Sequence, residues 1–260
     1  MVGFADLGLP FAVVIALWFV STGLVAMLNH RLRQSLGRAL VISGVCAIGG
    51  LSLVVLTSNS MAEWAVYASF VGGLLIWSWH EISFLTGAVS GSHREPCRAG
   101  ARGWERFSAA TMALIHHEIA LAMTAGLLLS LAAFTVNPVG AYTFALLLIF
   151  RLSSKLNIYW GVPNMSDELL PRHMEYLKTY FGPKRLRPFL PLSIALICAA
   201  AVTFGMAASA ATTTGLMVQN ALLCCLCLLA ALEHLFLALP FRDSALWQWA
   251  LDGNAARDEV

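Results

Sequence analysis

Charge is what this sequence has least of. Only 12% of its 260 residues are Asp, Glu, Lys or Arg, about half the share usual in a soluble domain. With 59% hydrophobic residues and a mean hydropathy of +0.75, that scarcity excludes a soluble globular enzyme. The same hydrophobicity excludes a disordered chain, which cannot form when so much apolar surface seeks burial. A disulfide framework is missing too. Of the six cysteines, Cys46, Cys198, Cys224, Cys225 and Cys227 lie in apolar runs, where Cys behaves as a small hydrophobe. No Cys pair stands at zinc-finger spacing from a second pair or from histidines, and Cys224-Cys225-x-Cys227 reads as packing. There is no Gly-x-Ser-x-Gly elbow, no phosphate-binding glycine loop and no dinucleotide fingerprint. No internal repeat is visible. The start lacks the basic stretch of a secretory signal, and its apolar run is too long for one.

Long apolar runs are present instead. Seven segments, about 7–29, 39–58, 63–85, 107–134, 139–160, 189–209 and 214–240, each supply the roughly 20 apolar residues that a membrane crossing needs. Fourteen of the sixteen basic residues fall on alternate connections and the C-terminal tail. They are Arg31, Arg33 and Arg38; Arg94, Arg98, Arg102 and Arg106; Arg172, Lys178, Lys184, Arg185 and Arg187; Arg242 and Arg257. The other two, Arg151 and Lys155, lie within the fifth segment. The opposite connections contain no Lys or Arg. The positive-inside rule makes the basic side cytoplasmic. The expected fold is all-α: a polytopic bundle of about seven membrane helices, N-terminus outside and C-terminus inside. It forms a single domain over 1–242 with a cytoplasmic tail over 243–260. Trp104, Trp160, Trp247 and Trp249 near inner boundaries and Trp64 near an outer one suit an aromatic belt. The basic loops fit topology and anionic lipid rather than nucleic acid.

The longest polar stretch is 162–188. Ser166 before Asp167 and Glu168 suits a helix start. Leu170, Met174, Leu177 and Phe181 recur at helical spacing, and Gly182-Pro183 stops the pattern. The spacing predicts a short amphipathic helix over 167–181, lying on the cytoplasmic face or docked on a partner. Trp247-Gln248-Trp249 forms a second, smaller interfacial candidate, and 253–260 are expected to be mobile.

The informative residues are polar ones inside spans. Ionisable groups there cost several kcal/mol and are usually paired or functional. His80 and Glu81 lie in the third segment, His116, His117 and Glu118 in the fourth. Arg151, Lys155 and Asn157 lie in the fifth, Glu233 and His234 in the seventh. At about 1.5 Å of rise per residue, His80 and Glu81 lie roughly 7 Å from the inner end and Glu118 roughly 17 Å. All fall between the midplane and the cytoplasmic boundary. Arg151 and Lys155, four apart, share a helix face.

Three readings compete. In the first, three carboxylates and two cations nearly neutralise one another as buried pairs and fix helix register. In the second, His80, Glu81, His117, Glu118, Glu233 and His234 supply ligands for a non-haem metal ion. Against this, di-iron bundles use Glu-x-x-His spacing, adjacent residues diverge by about 100° around a helix, and the two cations repel a metal. In the third, the layer is a tetrapyrrole or quinone site, in which a buried His can ligate a chlorophyll magnesium or a haem iron. The candidates are His117, His116 and His80, with Arg151, Lys155 and Asn157 as polar contacts.

The same residues carry a resemblance. His80-Glu81-Ile-Ser-Phe-Leu-Thr-Gly87, Gly103-Trp-Glu-Arg-Phe107, His116-His117-Glu118, Arg151-Leu-Ser-Ser-Lys155-Leu-Asn157, Gly161-Val-Pro-Asn164 and Leu177-Lys-Thr-Tyr-Phe181 resemble motifs of the PuhE family of photosynthetic complex assembly proteins. The likeness runs from about residue 61 to 240. It implies an inner-membrane protein that helps build the reaction centre and core antenna, or handles their bacteriochlorophyll. Reaction-centre or antenna subunits, or other assembly factors, are then the expected partners beside the bilayer. No catalytic residue carries over. Two alternatives stand beside it: a membrane metal-dependent oxidoreductase of the non-haem iron type, acting on a pigment or isoprenoid intermediate, and a small-molecule transporter.

Overall fold

The computed structural model describes residues 4–31, 36–165 and 170–240. The helix start at Ser166, the Trp247–Trp249 segment and the 243–260 tail lie outside them. Among the described residues all regular structure is helical. In chain order the elements are α1 (Phe4–Arg31), α2 (Leu36–Thr57), α3 (Glu63–Leu85), α4 (Gly103–Met112), α5 (Ile115–Ala132), α6 (Val139–Trp160), a 3₁₀ helix (Arg172–Tyr180), α7 (Phe189–Ser209) and α8 (Thr214–Ala238). Six of them, α1, α2, α5, α6, α7 and α8, are long and apolar enough to cross a membrane. The protein is a polytopic helical membrane bundle.

The third expected span differs in character. Its Trp, Ser, His80 and Glu81 lower the hydropathy of α3 below that of the other six. Yet its 23 residues reach about 34 Å, enough for the hydrocarbon core. It needs less apolar surface because neighbours cover it: α2, α5, α6 and α8 all pack against it. Two adjacent glycines allow this. A Cβ on Gly72 would stand 2.6 Å from the Gly50 carbonyl oxygen of α2, and one on Gly73 would stand 2.6 Å from that of Gly140 on α6. Close backbone approach through small residues is how helices associate where lipid removes the hydrophobic drive. The second inner helix is α8, which buries Cys225 against Val14 and Phe70, and Cys224 and Cys227 against Phe150 and Ile197. The three cysteines pack as small hydrophobes.

At the end without basic residues, one side chain locks the connections. The Asn137 amide donates towards the carbonyls of Thr57, Ser60 and Ala65 at 3.1–3.2 Å, and its Oδ1 accepts the Val139 N–H. This satisfies main-chain groups that a membrane protein cannot leave bare.

The fourth expected segment, 107–134, is not one helix. It breaks at Ala113–Leu114 into α4 and α5. Neither residue is a helix breaker; the cause is tertiary. The loop after α3 folds into the gap, where the Ser90 carbonyl accepts the His117 N–H at 2.9 Å and the His93 N–H reaches the Met112 carbonyl. The loop thereby satisfies one of the orphan donors of a helix N-terminus. Gly91 is required there, because a Cβ would collide with the Met112 and Ala113 backbone.

The expected amphipathic helix also differs. It is a 3₁₀ helix starting after Pro171, and its apolar face packs on the protein's own chain. Met174, Leu177 and Tyr180 bury against Phe84 and Ala113, with Leu170, Ala109 and Ala110 at the margin. Phe181, expected on that face, is only half-buried and Tyr180 takes its place. The loop after α3, α4 and the 3₁₀ helix form a cap over the basic end.

Candidate functional site

The break in the fourth segment moves the polar residues. Glu118 stands three residues into α5, so about 5 Å along that helix rather than the 17 Å an unbroken span implies. Glu81 stands four residues from the end of α3, Lys155 five from the end of α6, and Glu233 five from the end of α8. All lie roughly 5–8 Å from a helix end, with Arg151 one turn deeper. The polar groups therefore form one thin layer beneath the cap.

Within it the charges are paired. Lys155 Nζ donates to Glu118 Oε1 at 2.5 Å, joining α6 to α5. Arg151 Nη2 donates to Glu81 Oε2 at 3.1 Å, joining α6 to α3. The shared face of Arg151 and Lys155 thus serves two neighbours. Glu118 gains further from its place in the first turn of α5, where the helix dipole favours an anion. The third carboxylate, Glu233 of α8, accepts the Trp18 indole N–H of α1 at 2.7 Å.

The histidines divide. His234 is buried; its Nδ1 lies 2.8 Å from the Ala230 carbonyl, and its Nε2 lies 3.0 Å from Ser153 Oγ. A carbonyl only accepts, so Nδ1 carries the proton and Ser153 donates to Nε2. Asn157 continues this network, donating to the Ser153 carbonyl at 3.0 Å and to Ser193 Oγ of α7 at 3.1 Å. His80 is buried with Nε2 3.1 Å from Thr124 Oγ1 of α5, its ring edge-on to Phe144. His117 is fully enclosed, under the Phe84 ring at 4.6 Å, and neither of its ring nitrogens has a hydrogen-bond partner. His116 is exposed on the outside of α5 and does not join the layer.

These positions bear on the two ligand readings. Among the described residues no three His, Cys, Asp or Glu side chains stand together as a metal ion requires. The physical reason is the pairing: Glu81 and Glu118 turn to cations, Glu233 to an indole, and His80 and His234 to hydroxyls. His117 has no exposed face in this arrangement, and Phe84 covers its ring. The arrangement can hold six helices, α1, α3, α5, α6, α7 and α8, in register.

Further residues complete the site. Thr124, Ser193 and Trp18 are partners that only topology reveals. Arg106 of α4 ties the cap down: its guanidinium donates to the Tyr159 and Tyr180 carbonyls and lies 4.2 Å over the Tyr159 ring. The Tyr180 phenol, held above its ordinary pKa by burial, stays protonated and donates to the Glu95 carbonyl. Asn164 donates to the carbonyls of Leu237 and Phe236 at the end of α8. Gly161, at φ +119°, lets the chain turn sharply off α6.

Fold and site together define a multi-pass helical membrane protein in which two intramembrane ion pairs, Glu81–Arg151 and Glu118–Lys155, and the hydrogen-bonded Glu233 lie at one capped end. The chain belongs to the DUF3623 family, described as a protein of unknown function, whose model matches residues 4–258. It is 34% identical over 245 residues to an uncharacterized 30.4 kDa protein in the puhA 5′ region of Rhodobacter capsulatus, covering 91% of this chain and 88% of that protein. No solved structure matches it.

Proposed function

We propose that this protein is an inner-membrane assembly factor for the photosynthetic reaction centre and its core antenna. Its basic end faces the cytoplasm, as the positive-inside rule requires. The observation that carries the proposal is the pairing of the layer. With Glu81, Glu118, Arg151 and Lys155 spent on one another, the polar groups brace a platform rather than form a reaction centre of their own. The cap is that platform, and it presents Trp104, 77% exposed, beside the exposed Arg98–Glu105 pair. An exposed Trp ringed by charge is a common anchor for a protein partner. Two further facts support the reading: the relative in the puhA 5′ region, and the motif resemblance, whose residues turn out to build the layer and its cap.

The test is genetic. The gene of the Rhodobacter capsulatus relative is deleted and replaced by this chain. The assembly role predicts normal free pigment without the gene, less reaction-centre complex, and recovery with this chain but not with its Trp104→Ala variant. Build-up of a defined pigment or isoprenoid precursor would overturn it in favour of the oxidoreductase.

One observation favours a second reading. His117 keeps both ring nitrogens without a partner, which suits an imidazole held for the magnesium of a bacteriochlorophyll. That use requires the cap to move aside. Pigment retained by purified wild type and lost in His117→Leu supports it; colourless protein from pigmented membranes contradicts it. A transporter has less support, because among the described residues no second span is interrupted, whereas such folds carry matching breaks in two halves.

A further inference from the structure

One feature of the basic end is used by neither the ion pairs nor the cap. Where α6 ends at Trp160 and α7 begins at Phe189, a groove of about 340 Å³ is lined by Trp160, Arg187, Pro188 and Phe189. Its walls are aromatic, with Trp160 and Phe189 meeting edge to face at 4.4 Å between centroids. Its one charge is Arg187. Three other cations at this end are engaged: Arg94 with the Gly87 carbonyl, Arg98 with Glu105, Arg106 with two carbonyls. The Arg187 guanidinium makes no hydrogen bond or ion pair among the described residues. Lys184 and Arg185, exposed and equally unengaged, precede it, and residues 182–189 contain no Asp or Glu.

A cation in water needs no partner, but this one stands where two spans leave the membrane. Its planar fork matches two oxygens of a phosphodiester. The indole of Trp160 sits at headgroup level, where amphipathic rings are favoured, and offers an N–H. The aromatic walls suit a glycerol backbone and the first acyl carbons. A free phosphate would use Arg187 alone and leave those walls bare. We infer that the groove holds one anionic phospholipid, its headgroup phosphate on Arg187 and its glycerol between Trp160 and Phe189, with Lys184 and Arg185 adding attraction. This inference is independent of the assembly role.

Native mass spectrometry of the full chain released from phosphatidylcholine nanodiscs doped with phosphatidylglycerol tests it. The expected result is one retained phosphatidylglycerol, reduced about fivefold in Arg187→Gln, the factor that one surface cation contributes. Trp160→Phe, which removes only the N–H, is expected to retain less than wild type, and inorganic phosphate is not expected to displace the lipid. Thermal unfolding in pure phosphatidylcholine separates folding from binding: the variants should match wild type there and lose only the added stability that phosphatidylglycerol confers. Equal retention of phosphatidylcholine, displacement by inorganic phosphate, or unchanged retention in both variants overturns the inference.

Discussion

The main-chain N–H of His117 donates to the Ser90 carbonyl at 2.9 Å, so a loop after α3 seals the break in the next span. The break it seals shortens the fourth span to α5 and sets Glu118 at the level of Lys155, in the layer that holds the other intramembrane charges. The loop fits only because Gly91 has no side chain. Gly91→Ala forces a carbon into the Met112–Ala113 backbone and is expected to cost about 1–3 kcal/mol, as overpacking does. Limited proteolysis should then cut residues 86–101 faster than in wild type, with helix content by circular dichroism nearly unchanged.

The α3–α6 contact depends on Gly73 facing Gly140. Gly73→Leu is expected to separate the two helices and with them Arg151 from Glu81. Unfolding in detergent should show a loss of about 2 kcal/mol or more. Gly126→Ala, at a position with nothing within 4 Å, serves as the control and should leave stability unchanged or raise it by up to about 1 kcal/mol.

The Asn157–Ser153–His234 network pins α6 to α7 and α8. Hydrogen bonds between membrane helices contribute about 0.6 kcal/mol on average and up to about 1.7. Asn157→Leu removes the bridge to Ser193 and is expected to fall in the upper part of that range. Ser193→Ala should cost less, because Asn157 keeps its bond to the Ser153 carbonyl. Equal losses in the two variants would show that the bridge to Ser193 accounts for the whole effect of Asn157.

Much of the architecture was legible in the residues because lipid imposes a simple rule. The bounds expected for α3, α6 and α7, at 63–85, 139–160 and 189–209, coincide with those observed, and Pro138, Gly161 and Pro188 mark three of those ends. The break at Ala113–Leu114 was not legible. Both residues favour helix, and the decision is made by a loop more than twenty residues upstream. The polar residues were picked out by their cost in lipid, but not their partners. That Arg151 and Lys155 share a face follows from spacing; that one reaches α3 and the other α5 needs the bundle. Which of His116 and His117 turns inward depends on the rotation of α5, which two adjacent histidines do not reveal. The amphipathic stretch announced an apolar face without saying what would cover it, and the covering surface is the chain's own cap.

The central claim is that the buried charges act as mutual partners, and the Lys155–Glu118 pair tests it most directly. A double-mutant cycle of Lys155→Met and Glu118→Leu, read by unfolding of the purified full chain in detergent, measures their coupling. Removing one partner strands the other charge and is expected to cost about 3–5 kcal/mol, whereas removing both costs far less. A double variant more stable than either single variant is the predicted result. Strictly additive losses, or a bound metal ion in wild type that disappears with Glu118→Leu alone, would contradict it.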